Sequence, residues 1–232
     1  MGIRREFTSI IRTFLDTWVP SGIRDTYWFM YPIARAAFGR QASTFLNFRK
    51  HAFRLTPLQY KHIYETVNPI FSRETDLTEL CTGAIESHIA GRQVLEVGCG
   101  RGYLAKRLSK KFRVTASDIV IDAKLTKEKQ LKLISASVEK LPFKDRSFDT
   151  VISTHTLEHV LDFDQAVSEL RRVTKKRLII VVPMQKPFLY TLDLHVRFFP
   201  YPFSFVAAMT HGIGKKYRCL PMGGDLFYYE DR

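Results

Sequence analysis

Residues 94–102 read Val-Leu-Glu-Val-Gly-Cys-Gly-Arg-Gly, an apolar run with one acid, Glu96, that enters glycines at 98, 100 and 102. Glycine accepts backbone angles and close approaches that a side chain forbids, so such a turn can press its main chain against a ligand. Tyr103 to Leu108 follows with helical spacing. A strand, a glycine turn and a helix N-terminus together suit a nucleotide-type group. Asp118 closes Val114-Thr115-Ala116-Ser117 and lies 18 residues beyond Gly100. A carboxylate there can accept both hydroxyls of a ribose; a solvated strand-end charge or a helix cap is the other reading. His155, in Ser153-Thr154-His155-Thr156, and His195, in Leu194-His195-Val196-Arg197, titrate near neutrality and could move a proton. Each could equally be a packed, hydrogen-bonded side chain. Cys81, Cys99 and Cys219 are odd in number and far apart. They have no metal-ligand spacing and read as reduced thiols, Cys99 as a small loop filler.

These residues need elements to hold them. From Gln93 the chain alternates strand and helix, the pattern of a parallel sheet covered on both faces. Strands are expected at 93–97, 113–117, 131–135, 148–153 and 177–182, with helices between them. Thr75 to Ile89 reads as a helix leading into the fold, stopped by Gly91. The helix after Leu161 starts at Asp162 as cap, with Gln165 three residues on, a capping-box arrangement. Its core face would be Phe163, Ala166, Val167, Leu170 and Val173. Beyond Pro183 the alternation loosens, with a short helix over 204–211. Tyr217–Met222 and Asp225–Glu230 flank Gly223-Gly224 as an antiparallel hairpin, and Pro221 puts its first arm at an edge.

The chain has 232 residues, 45% of them hydrophobic. That suits one α/β domain, here 76–232, plus an extension, here 1–75. Its net charge is +13, which favours acidic partners such as anionic lipid, nucleic acid or a phosphorylated substrate. Residues 1–62 hold ten Lys or Arg against three acids, and twelve aromatic residues. Phe7, Ile10, Ile11, Phe14, Leu15 and Trp18 make one helical stripe, ended by Pro20-Ser21-Gly22; it suits a lid on the domain or a helix lying on an anionic membrane. Tyr27 to Phe38 is an apolar, aromatic patch interrupted by Pro32 and Arg35, and helical signals resume at Pro57–Val67. No apolar run reaches the ~18 residues that span a bilayer. Arg4, Arg5, Glu6, Arg12 and Asp16 break any signal-peptide core, and Glu6 stands where a myristoylation motif wants Ser or Thr. The location expected is the cytoplasm, with peripheral contact to the inner membrane face as an option.

The glycine turn, with Tyr103 where a dinucleotide fingerprint wants its third glycine, resembles the first motif of class I S-adenosylmethionine-dependent methyltransferases. Three later stretches extend the resemblance. Asp118 ends the second strand. Ser135-Ala136-Ser137-Val138-Glu139-Lys140-Leu141-Pro142-Phe143, followed by Ser147-Phe148-Asp149, is similar to the "Asp-Ala-Glu-x-Leu-Pro-Phe … Ser-Phe-Asp" stretch of the group that includes quinone-biosynthesis C-methyltransferases. Leu157-Glu158-His159-Val160 is similar to that group's "Leu-Glu-His-Val" turn. The resemblance covers about 90–183 and loosely the tail, and leaves out the extension.

It implies a Rossmann-like, doubly wound, mostly parallel sheet with a C-terminal antiparallel hairpin, beside a helical N-terminal extension. It implies S-adenosylmethionine as cofactor, bound by Glu96, Gly98, Gly100, Tyr103, Asp118, Ile119, Ser137, Val138 and Thr154. Glu96 would position the methionine end. Ser137 replaces the group's acid, and its hydroxyl can still accept one hydrogen bond. Thr154 and His155 would line the active site, His155 and then His195 would be the candidate bases, and His159 a structural hydrogen-bonder. The activity implied is in-line methyl transfer to a small-molecule, lipid or glycan acceptor. RNA methylation is disfavoured by Ser153-Thr154-His155-Thr156, which stands where an Asn-Pro-Pro-Tyr-like motif would be. A cofactor-binding module without turnover is the remaining alternative.

Overall fold

A computed structural model describes residues 14–15, 17–67, 74–214 and 216–232. The chain divides into two compact units, one of 1–73 with 186–196, the other of 74–185 with 197–232. The first takes in a segment that the sequence reading had assigned to the larger domain.

In the larger unit, seven strands form one sheet: β1 (Gln93–Val97), β2 (Arg113–Asp118), β3 (Lys132–Ser135), β4 (Phe148–Thr154), β5 (Thr174–Pro183), β6 (Lys216–Met222) and β7 (Asp225–Asp231). Their order is β3-β2-β1-β4-β5-β7-β6. β1 to β5 are parallel, and β7 enters antiparallel between β5 and β6. β5 is buried without interruption from Leu178 to Pro183, because helices cover both faces of a central strand. One face packs α5 (Glu79–His88) and α6 (Tyr103–Ser109) through Cys81, Ile85, Leu104 and Leu108 onto Val94, Ile152 and Val181. The other packs α7 (Phe163–Val173) and α8 (Pro202–Ala208) through Phe163, Leu170 and Phe205 onto Leu95, Val97 and Val151. All five expected core residues of α7 are buried, and the Asp162 side chain accepts from the Gln165 amide.

Two of the expected crossovers lack a helix. Between β2 and β3 only Leu125–Lys127 coils, as a single 3-10 turn. The β3–β4 link is a loop with one bridge, Ser137 to Lys140. Pro142, Asp145 and a left-handed Arg146 (φ 53°) leave no room there for a helical run.

The smaller unit is helical: α1 (Ser21–Arg24), α2 (Tyr27–Phe38), α3 (Ala42–His51) and α4 (Pro57–Val67). Gly22 is helical, so Pro20 starts a new short helix as well as ending the earlier one. α2 runs unbroken through Pro32, whose ring, like Arg35, is exposed and interrupts only the apolar patch. Of the N-terminal stripe, Phe7, Ile10 and Ile11 lie outside the described residues. Leu15 is buried, whereas Phe14 and Trp18 are exposed. Among the described residues no helix is long and apolar enough to cross a membrane.

Candidate active site

The strand order reverses between β1 and β4, the place where open α/β sheets bind ligands beyond the carboxyl ends of their strands. Register brings the ends together: Val97 pairs with Ser117 on one side and with Ser153 on the other. The glycine turn leaves β1 at this point. The Gly98 and Cys99 amides donate to the Ser117 carbonyl at 2.8 and 3.0 Å, and the Gly102 amide to Cys99 at 2.8 Å.

All three glycines have positive φ, but they differ in what surrounds them. A Cβ on Gly98 would collide with Thr156, and one on Gly102 with Leu125; one on Gly100 would meet nothing within 4 Å. Gly98 and Gly102 are therefore packing requirements. Gly100 is the place where the main chain borders open space, as a ligand cradle needs.

Two carboxyl groups flank this space. Asp118 accepts from the Gly100 amide at 2.8 Å and from Val120 at 3.1 Å. Its first task is thus to order the loop, and each oxygen keeps a lone pair for a further donor. It is not a helix cap. Burial raises its pKa, against the pull of the Gly100, Val120 and Ile119 amides. Glu96 is buried on β1, and among the described residues its Oε2 has no hydrogen-bond partner. Burial, and then the nearby charge of Asp118, raise its pKa to about 8; an Ala105 backbone hydrogen bond opposes them. A buried acid with an empty lone pair suits a cationic partner. These residues fit the cofactor that the sequence implies. Cys99 beside them is buried, and burial pushes its thiol pKa up, so it is no ready nucleophile.

The remaining expected contacts are distributed as follows. The Tyr103 ring sits at the start of α6 with its hydroxyl 2.6 Å from Glu79, which ties α6 to α5. Ser137 accepts from the Glu139 amide at 3.2 Å, and Val138 is buried in the core beside it. The Ile119 carbonyl accepts from Ser135 at 3.3 Å. Thr154 is buried at the end of β4, where its carbonyl accepts from the Thr156 hydroxyl at 3.0 Å.

His155 follows with φ 49°, a conformation uncommon outside glycine and concentrated at functional sites. Its amide donates to the Val181 carbonyl at 2.9 Å. The ring stands between two buried carboxylates, Nδ1 3.6 Å from Glu158 and Nε2 3.7 Å from Asp225. Burial alone would lower its pKa, but Asp225 and Glu158 outweigh that and raise it to about 10. His159 Nε2 lies 3.9 Å from the same Glu158. His195 belongs to the smaller unit, where Nδ1 pairs with Asp193 at 3.2 Å. Arg197 is a clamp for the Leu-Glu-His-Val turn, donating to the Val160 and Leu161 carbonyls at 3.2 and 2.9 Å.

Sequence reasoning missed Glu158 and Asp225. Glu158 stands three residues after His155, a visible spacing. Asp225 reaches the site only because β7 inserts beside β5, pairing Asp225 with Pro183, and no local pattern encodes that.

Residues 95–182 match the family model described as a methyltransferase domain. That stretch of the larger unit is similar to methyltransferase domains. The chain is 32% identical over 112 residues to the ubiquinone/menaquinone biosynthesis C-methyltransferase of Hahella chejuensis, covering 42% of this chain and 45% of that one. It is 36% identical over 86 residues to the mitochondrial arginine-hydroxylase of Homo sapiens, covering 35% and 25%. The chain therefore spans less than half the length of either relative. Among solved structures, a Burkholderia thailandensis 1,6-didemethyltoxoflavin-N1-methyltransferase with bound S-adenosylhomocysteine superposes with a TM-score of 0.60. It has 15% identity and covers 77% of this chain and 91% of that one. The domain has the same fold.

Proposed function

We propose that this protein transfers the methyl group of S-adenosylmethionine to a small-molecule acceptor. The observation that carries the reading is the open face of Gly100 flanked by Glu96 and Asp118, with His155 at the neighbouring strand end. Glu96 would hold the ammonium of the cofactor, Asp118 its ribose, the Gly98 to Gly100 main chain its middle, and Ile119, Ser137 and Val138 its adenine. When bound, the cofactor supplies a methyl group already activated by the sulfonium charge.

The chain's own task is then alignment and exclusion of water, worth about 7–11 kcal/mol in favourable cases. Held between Asp225 and Glu158 with a pKa of about 10, His155 carries a proton at neutral pH. In this reading it is a fixed positive charge beside the acceptor, rather than the proton acceptor that its position in the sequence suggests. A second reading, to which a relative named as a hydroxylase draws notice, is a domain that binds the cofactor without methylating.

Calorimetry with S-adenosylmethionine tests the cofactor site, and no binding at millimolar ligand by folded protein refutes both readings. Incubation of cell extract fractions with methyl-labelled cofactor separates them. Label transferred to a small molecule supports methylation; binding with no transfer to any fraction supports the second reading.

A further inference from the structure

The smaller unit carries a surface that methyl transfer does not use. The chain has two tryptophans, Trp18 and Trp28, and both are far out in solvent, 75% and 69% exposed. Such residues normally bury most of their ring, so two exposed on one small unit require a reason. α2 explains how one of them is presented. It buries Met30, Ala34 and Phe38, spaced by four, and so turns Trp28, Tyr31 and Arg35 outward.

On the same unit Tyr27 stacks on Tyr31 with ring centres 5.3 Å apart and meets Tyr190 edge-on at 5.6 Å. The Lys50 ammonium lies 4.4 Å above the Tyr190 ring and 2.9 Å from its hydroxyl. Two aliphatic side chains, Ile23 and Leu189, are exposed on the same unit. Over residues 17–67 the exposed cations are Arg35, Arg40, Lys50 and Arg54, against one exposed acid, Glu65.

We propose that the smaller unit docks on an anionic phospholipid bilayer through its exposed aromatic and basic side chains. Trp and Tyr have an apolar body and a polar tip, which suits the level of the lipid headgroups. Cations around them are drawn to a negative leaflet. Nucleic acid is the other polyanion to consider, and it has no use for exposed Ile23 and Leu189, which a bilayer interface accepts. With no spanning helix among the described residues, the contact is a surface one. It stands independently of the methyl-transfer reading.

Because the only two tryptophans sit on this unit, their fluorescence reports on it directly. The full chain is mixed with phosphatidylcholine vesicles, with and without phosphatidylglycerol, and followed by Trp emission and by flotation. The expected result is a blue shift and co-flotation with the phosphatidylglycerol vesicles, reversed by high salt. Trp28→Ser and Trp18→Ser should each weaken vesicle binding several-fold, and their unchanged melting curves would show that the fold is intact. Absence of flotation overturns the proposal. So does flotation with unshifted emission, which would place the contact on another surface, and so does a blue shift produced by RNA but not by vesicles.

Discussion

Glu96 makes the proposed cofactor site testable through protons. With a pKa of about 8 against an ordinary 4.5, at pH 6.5 it is roughly 97% protonated, where an ordinary glutamate would be roughly 1%. An ammonium placed against it stabilises the charged form and pulls its pKa back down. Binding should therefore release close to one proton at pH 6.5. The affinity should climb about tenfold per pH unit between roughly pH 5 and 7, where an α-amino group stays protonated. The whole shift corresponds to a ceiling of about 5 kcal/mol. Calorimetry with S-adenosylhomocysteine in buffers of different ionisation heat counts the released protons. In Glu96→Gln the release should drop to whatever share Asp118 holds, because the amide keeps the shape and has no proton to give. A wild-type binding heat that does not depend on the buffer at pH 6.5 would refute the assignment of Glu96 to a cationic group.

Other substitutions separate packing from function. Gly98→Ala forces a side chain onto Thr156 at φ 77° and should cost at least about 1–3 kcal/mol in urea unfolding. Gly100→Ala meets no neighbour and should instead weaken cofactor binding more than it lowers stability, as paired calorimetry and unfolding would show. Arg171 forms a buried pair with Glu230 through two 2.8 Å bonds. Arg171→Met alone should cost about 3–5 kcal/mol, and adding Glu230→Leu should recover part of that loss. His155 has a raised pKa, so its stabilising share is complete below pH 6.5 and is lost as pH rises through about 10. Urea unfolding at pH 7 and pH 10 should show a smaller alkaline loss in Asp225→Asn than in the wild type.

The sheet was legible because its signals are local. β1, β2 and β4 are short apolar runs, and Asp162 with Gln165 marks the start of α7 where the cap is found. Gly98, Gly100 and Asp118 were legible as a loop, though not that the carboxylate of Asp118 is partly used to order it. What was hidden depends on distant pairing. Asp225 lies 70 residues from His155, and the two meet only through the β5–β7 register. The segment 186–196 follows a strand of the larger unit yet folds with the smaller one, held by Arg24 and Arg49 donating to the Pro187 and Phe188 carbonyls. The helix over Tyr27–Phe38 shows in the sequence only as an apolar, aromatic patch; it continues through Pro32 because burial of Met30, Ala34 and Phe38 offsets the bond that proline removes.

The insertion of β7 between β5 and β6 sets an order of events during synthesis. Until residues 225–231 leave the ribosome, the outer edge of β5 from Arg177 to Pro183 has no partner. An open, apolar edge of that length is a template for pairing with another nascent chain. The chain completes its sheet and supplies the second carboxylate of His155 with the same seven residues. A polypeptide stalled before them would therefore be prone to aggregate and also lack a finished site.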